Sequence, residues 1–125
     1  MPKYLITFPS DAMDHILEEE MPDVARAAHA VCQEAIDAGV YFLAGGLEDQ
    51  PSSLVATDGT ITDGPKPGVV SGITIVDVPS REEALKWASK VAAACRCTQE
   101  VREFGFDPEL EAMHREAAGR RSHGV

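Results

Sequence analysis

The chain has 125 residues, 44% apolar and 26% charged, which suits one globular domain and argues against disorder. Its 21 carboxylates against 11 lysines and arginines give a net charge of −10, so a phosphate backbone would be repelled and no nucleic-acid partner is expected. The excess lies wholly in residues 1–65, where Lys3 and Arg26 are the only basic residues; residues 66–125 balance. No apolar run is long enough to span a bilayer, and Met1-Pro2-Lys3-Tyr4 leads into a strand-like pattern without an apolar leader. No membrane partner and a cytoplasmic location are therefore expected. Cys32, Cys95 and Cys97 cannot all pair within one chain, and the C-x-C spacing completes neither a redox motif nor a zinc site. No phosphate-loop, dinucleotide or zinc-protease motif is present, so neither a cofactor nor a metal is expected.

Lys3–Phe8 alternates, with Tyr4, Ile6 and Phe8 on one face, and reads as a strand ended by Pro9-Ser10. Residues 11–23 carry Asp11, Asp14, Glu18, Glu19, Glu20 and Asp23 with no base among them. They read as a turn-rich segment, either a solvated face or a lid. Pro22-Asp23 opens a helix over about 23–38, with Val24, Ala28, Val31 and Ala35 on one face and Gly39 as its stop. Val40–Leu43 is a buried strand that Ala44-Gly45-Gly46 extends. Leu54–Thr57 and Thr60–Thr62 flank Asp58-Gly59, which predicts a hairpin with a two-residue primed turn. Asp63-Gly64-Pro65-Lys66-Pro67-Gly68 is rigid loop chemistry, and Gly72–Val78 is a further strand. Ser80 with Glu83 forms a capping box before a second helix whose stripe is Ala84, Ala88, Val91 and Cys95. Thr98–Phe104 is a last, more polar strand. Pro108–Ala118 reads as a third helix and Arg120–Val125 as a frayed tail.

The order is β-α-β, hairpin, β-α-β, helix. It predicts an α+β, ferredoxin-like chain over residues 1–106, with a C-terminal helix and flexible tail over 107–125. One sheet with both helices on one side leaves an apolar face bare, which predicts a homodimer whose sheets stack around a cavity.

Phe42-Leu43-Ala44-Gly45-Gly46-Leu47 followed by Asp58-Gly59-Thr60-Ile61-Thr62-Asp63-Gly64-Pro65 resembles the YCII-related proteins, in particular the branch with an Asp-Gly-Pro-Phe (DGPF) motif. Residues 75–88 and 94–104 are also typical of that branch, and the likeness covers about residues 2–104. The resemblance implies a dimeric α/β barrel of mostly unassigned activity. Some members are thought to use a His–Asp pair, and one relative removes HCl from a hydroxylated chloroaromatic ring. Where that branch continues with an aromatic residue and a polar stretch, this chain has Lys66-Pro67-Gly68-Val69-Val70-Ser71 in a shorter loop.

Carried onto this sequence, the pair is His29 and Asp63. His29 sits about 140° from Val24 on the helical wheel, at the margin of the apolar stripe. There it could serve acid–base chemistry at a cleft mouth, or simply bond a backbone carbonyl. Asp63, held by Gly64-Pro65, could orient the imidazole, or could satisfy its own turn. His15, Gly45, Gly46 and Pro65 are the further candidates to meet a ligand. His15 with Asp11 or Asp14 is too loose a set for a metal. Two functions remain open: lyase- or isomerase-type proton transfer on a small aromatic or hydroxylated molecule, and a non-catalytic ligand-binding or regulatory dimer. Because both histidine candidates and Asp63 lie in the acid-rich half, a neutral or cationic ligand is favoured over an anion.

Overall fold

The structure, a computed structural model, describes residues 2–66 and 68–123, the side chains of 121–123 excepted. Pro67 of the expected rigid loop and the last two residues of the expected tail lie outside the described residues. The chain runs β1 (Lys3–Pro9), a 3-10 turn (Glu18–Glu20), α1 (Met21–Asp37), β2 (Tyr41–Gly46), β3 (Ser53–Val55), β4 (Ile61–Asp63), β5 (Val70–Asp77), α2 (Arg81–Cys95), β6 (Glu100–Glu103) and α3 (Pro108–His123). Four strands form one antiparallel sheet in the order β2-β5-β1-β6, and β3 and β4 pair in a separate hairpin sheet. The architecture is therefore mixed α+β.

Strand alternation assigns the two faces of the sheet. Tyr4, Ile6, Val76 and Val78 are buried beneath Ala84 and Ala88 of α2, with Val40, Trp87 and Val101 packed around them. The small residues of α2 let that helix approach the sheet closely. Leu5 pairs with Ile75 and Arg102, Leu43 pairs with Ile75, and these four residues fall on the opposite, uncovered face. A register shift between Tyr41 and Leu43 accommodates Phe42, whose ring lies 5.1 Å from the Lys3 ammonium. Lys3 also pairs with Asp77 at 3.4 Å on this face.

The helix ends follow local chemistry. At the end of α1, the Gly39 N–H donates to Ile36 O and the Val40 N–H donates to Ala35 O. Gly39 takes φ 75°, so the two bonds form a Schellman stop. Ser80 Oγ accepts from the Glu83 N–H at 3.3 Å at the start of α2. Arg96 ends α2 at φ 57°, a left-handed position unusual for a side chain with a Cβ, and it forms an ion pair with Glu20 at 3.3 Å. The Cys97 N–H completes this cap on Ala92 O, so β6 starts at Glu100 rather than at Thr98.

Three expected details of burial, turn and helix length are corrected. The strand expected to be buried over Val40–Leu43 runs Tyr41–Gly46 at the edge of the sheet, and its Phe42 and Leu43 are about half exposed because no element covers the face they lie on. The turn between β3 and β4 is not a two-residue primed turn, because that turn needs positive φ at both Asp58 and Gly59, and only Gly59 has it. Asp58 instead accepts the Thr60 N–H at 2.9 Å, and the Gly59 N–H donates to Ala56 O. The loop is thus longer, with Gly59 as its left-handed residue. The helix expected to end near Ala118 runs through to His123, with Glu111–Arg115 and Glu116–Arg120 ion pairs along it. Asp107 Oδ1 caps its start by accepting the Leu110 N–H at 3.0 Å.

Candidate functional site

A cavity of about 340 Å³ lies between α1, α2 and the β2–β5 end of the sheet. Its origin is a shortage of side-chain volume. The face that α1 presents is Ala28, Val31, Cys32 and Ala35, and the sheet opposite offers Ala44, Gly45, Gly46 and Gly72. None of these can bridge the gap between helix and sheet. Gly72 stays a glycine for a second reason: Phe8, its cross-strand partner, lies over it where a Cβ would stand. Phe8, Tyr41 and Trp87 add aromatic walls, and Val76, Val91 and Cys95 close the inner end.

The polar groups of the lining are few: the His29 imidazole, the Tyr41 and Thr74 hydroxyls and the thiols of Cys32 and Cys95. Among the described residues, no lysine, arginine or carboxylate contributes to the wall. Burial pushes the Cys95 thiol up, and the neighbouring Cys97 and Cys32 push it further the same way. Burial alone raises Cys32, and burial raises Cys97 against a weaker opposing hydrogen bond from Gln99. Three thiols held in the protonated form are poor nucleophiles and poor metal ligands. Among the described residues, no group of three or more His, Cys, Asp or Glu side chains is gathered to hold a metal ion.

The structure brings three of the sequence candidates to this cavity. His29 stands at its exposed edge on α1, and Gly45 and Gly46 border it from β2. The other three lie elsewhere. Asp63 is exposed at the end of β4, is not part of the lining, and makes no hydrogen bond or ion pair with His29. Its Asp-Gly-Pro motif holds the local backbone instead. Pro65 O accepts both the N–H and the Oγ–H of Ser52, and a Cβ at Gly64 would run into Ser52 and Leu54. Pro65 thus closes the hairpin base. His15 is exposed in a succession of turns, and no residue of the acidic 11–23 segment lines the cavity, so the segment is no lid over it. Asp11 and Asp14 instead border a separate acidic hollow with Glu48 and Asp49.

Sequence reasoning missed the walls. Ala28 and Ala35 were legible as a helix stripe, and Trp87 as a packing residue, but only the fold sets Ala28 and Ala35 opposite Ala44 and Gly72. The usable sign was the run of small residues on the α1 stripe facing a strand that ends Ala44-Gly45-Gly46.

Comparison with protein-family models and with curated proteins finds no match for this chain. Among the described residues, no helix is long and apolar enough to cross a membrane.

Proposed function

We propose that the protein is a small-ligand-binding module that takes a neutral, largely apolar molecule, one or two aromatic rings in size, into the cavity beneath α1 and α2. The observation that carries this reading is the lining itself. About 340 Å³ falls at the lower end of ligand-pocket volumes, and aromatic and aliphatic walls with a few placed polar groups are what such pockets use. A wall without charged side chains selects against ions, since a buried unpaired charge is costly. A phenolic hydroxyl would find His29, Tyr41 and Thr74 at the rim and walls.

The test uses Trp87, the only tryptophan in the chain and part of the wall. 2-Naphthol should quench its emission saturably, and calorimetry at several temperatures should give one site with a negative heat-capacity change. Non-saturable quenching, or no heat of binding, would remove the proposal.

A second reading, proton transfer on the bound molecule by His29, is favoured by the place of His29 on the cavity rim. It gains nothing from Asp63, which no hydrogen bond joins to His29. Replacement of His29 by Gln separates the two readings: binding with lost turnover supports catalysis, and unchanged affinity with no turnover in either protein supports the module.

The resemblance to YCII-related proteins and the finer architecture it implies, a ferredoxin-like chain forming a dimeric α/β barrel, belong to the same proposal. The strand order β2-β5-β1-β6 supports the ferredoxin-like arrangement. The uncovered face bearing Leu5, Phe42, Leu43 and Ile75 supports a homodimer. Sedimentation as a concentration-independent monomer would end the dimer claim.

A further inference from the structure

Thr74 puts a hydroxyl in the middle of the cavity floor, where nothing in the chain uses it. On β5 it alternates in step with the buried Val76, so it points to the helix side of the sheet. Across the strands it pairs with Ile6 on one side and Ala44 on the other, and along its own strand Gly72 and Val76 flank it on the same face. Every one of these neighbours is apolar. Valine has the same branched shape and suits a strand as well, so neither packing nor strand propensity asks for a hydroxyl here.

Among the described residues the Thr74 hydroxyl has no hydrogen-bond partner. Tyr4, on the same face, differs: its hydroxyl donates to Glu103 Oε1 at 3.2 Å. Nor is the Thr74 oxygen sealed by protein atoms. Among the described residues, Asp77 Oδ1 is the only side-chain polar atom that is both sealed and unpartnered, so the Thr74 hydroxyl opens on the cavity it lines. His29 is exposed and keeps its water whether or not the cavity is filled. Thr74 is half-buried on the floor, and a molecule that fills the cavity displaces its water. A hydroxyl desolvated in this way works against binding unless the incoming molecule returns the hydrogen bond.

We propose that Thr74 determines the specificity of the cavity: it admits apolar molecules that carry a hydrogen-bonding oxygen, seats that oxygen inward against the sheet, and rejects hydrocarbons of the same shape. The inference rests on the ligand-binding reading above and adds the ligand's polar group and its orientation. An apolar wall discriminates weakly between such molecules, whereas a group that must be hydrogen-bonded discriminates strongly. The threonine hydroxyl both donates and accepts, so a ligand hydroxyl or carbonyl fits it equally.

Calorimetric titration of the full chain with 2-naphthol and with 2-methylnaphthalene, in which a methyl group of similar size replaces the hydroxyl, tests this. The readout is the Kd for 2-methylnaphthalene divided by the Kd for 2-naphthol. T74V and T74A both remove the hydroxyl, and their far-ultraviolet circular dichroism should match that of the parent protein. In each the ratio should fall at least about tenfold, through lost affinity for 2-naphthol. T74S keeps the hydroxyl and should keep the parent ratio, and H29Q should keep it too. An unchanged ratio in T74V and T74A, with 2-naphthol still bound, overturns the role of Thr74 and leaves the ligand-binding reading standing. A fall in H29Q equal to that in T74V also overturns it, because the hydroxyl would then be read at the rim. A parent protein that binds neither compound overturns both.

Discussion

Ala28 gives the most decisive perturbation of the cavity. It sits on α1, half-buried, directly on the wall. Its replacement by leucine adds three carbons pointed at empty space. Full burial at about 0.8 kcal/mol per CH₂ would add about 2.4 kcal/mol. His29, Gly45 and Gly46 are exposed, so the cavity communicates with solvent, and roughly half of that, about 1 kcal/mol, is the expected gain. For a chain of this size the midpoint should rise by about 3–5 °C. The same leucine should occupy the ligand's space and weaken 2-naphthol binding by at least about tenfold, or 1.4 kcal/mol. Calorimetry supplies both readouts, by scanning and by titration. A loss of about 1–3 kcal/mol would be the cost of overpacking and would mean that the gap between α1 and the sheet is not there. Undiminished binding would mean that the ligand goes elsewhere.

Other consequences can be measured on the same preparation. Replacing Arg96 by glycine relieves a left-handed strain of about 1–2 kcal/mol and gives up a surface ion pair worth about 0–1 kcal/mol. Chemical denaturation should therefore show a net gain of about 0–2 kcal/mol. Gly72→Ala puts a Cβ into the Phe8 ring and should cost about 1–3 kcal/mol in the same experiment, with the Phe8 ring resonances displaced. The three thiols have raised folded-state values, so they bind protons that the unfolded chain has already released. Their contribution to stability is intact below the unfolded thiol pKa and is lost as pH rises through the folded values. Urea midpoints should accordingly fall on the alkaline side, and a Cys95→Ala variant should show a smaller fall.

The first two helices and the four-stranded sheet were legible because their patterns are long and local. The stripes Val24–Ala35 and Ala84–Cys95, the Gly39 stop and the Ser80 cap each have one structural solution. Asp58-Gly59 did not, since the dipeptide suits both a primed turn and a longer loop with left-handed Gly59. The Asp58 carboxylate, bonded to the Thr60 N–H, selects the second. The end of α3 was underestimated because Gly119 reads as a breaker, while the paired charges at 111–115 and 116–120 carry the helix past it. For the site, His29, Gly45 and Gly46 could be picked out, but the cavity could not. It depends on two segments remote in sequence, the α1 stripe and the Ala44–Gly46 end of β2, meeting across a space that neither has the side-chain volume to fill. Asp63 looked functional because Asp-Gly-Pro fixes a backbone; here that rigidity serves Ser52 and the hairpin base.

Entry of a neutral aromatic molecule into the space beneath α1 and α2 is best tested by intermolecular nuclear Overhauser effects between 2-naphthol and the protein. Contacts are expected from the naphthol ring protons to the Ala28 methyl group and the Trp87 indole, both of which line that space. Contacts confined to Phe42, Phe104 and Phe106 on the far side of the sheet would refute ligand binding in this cavity.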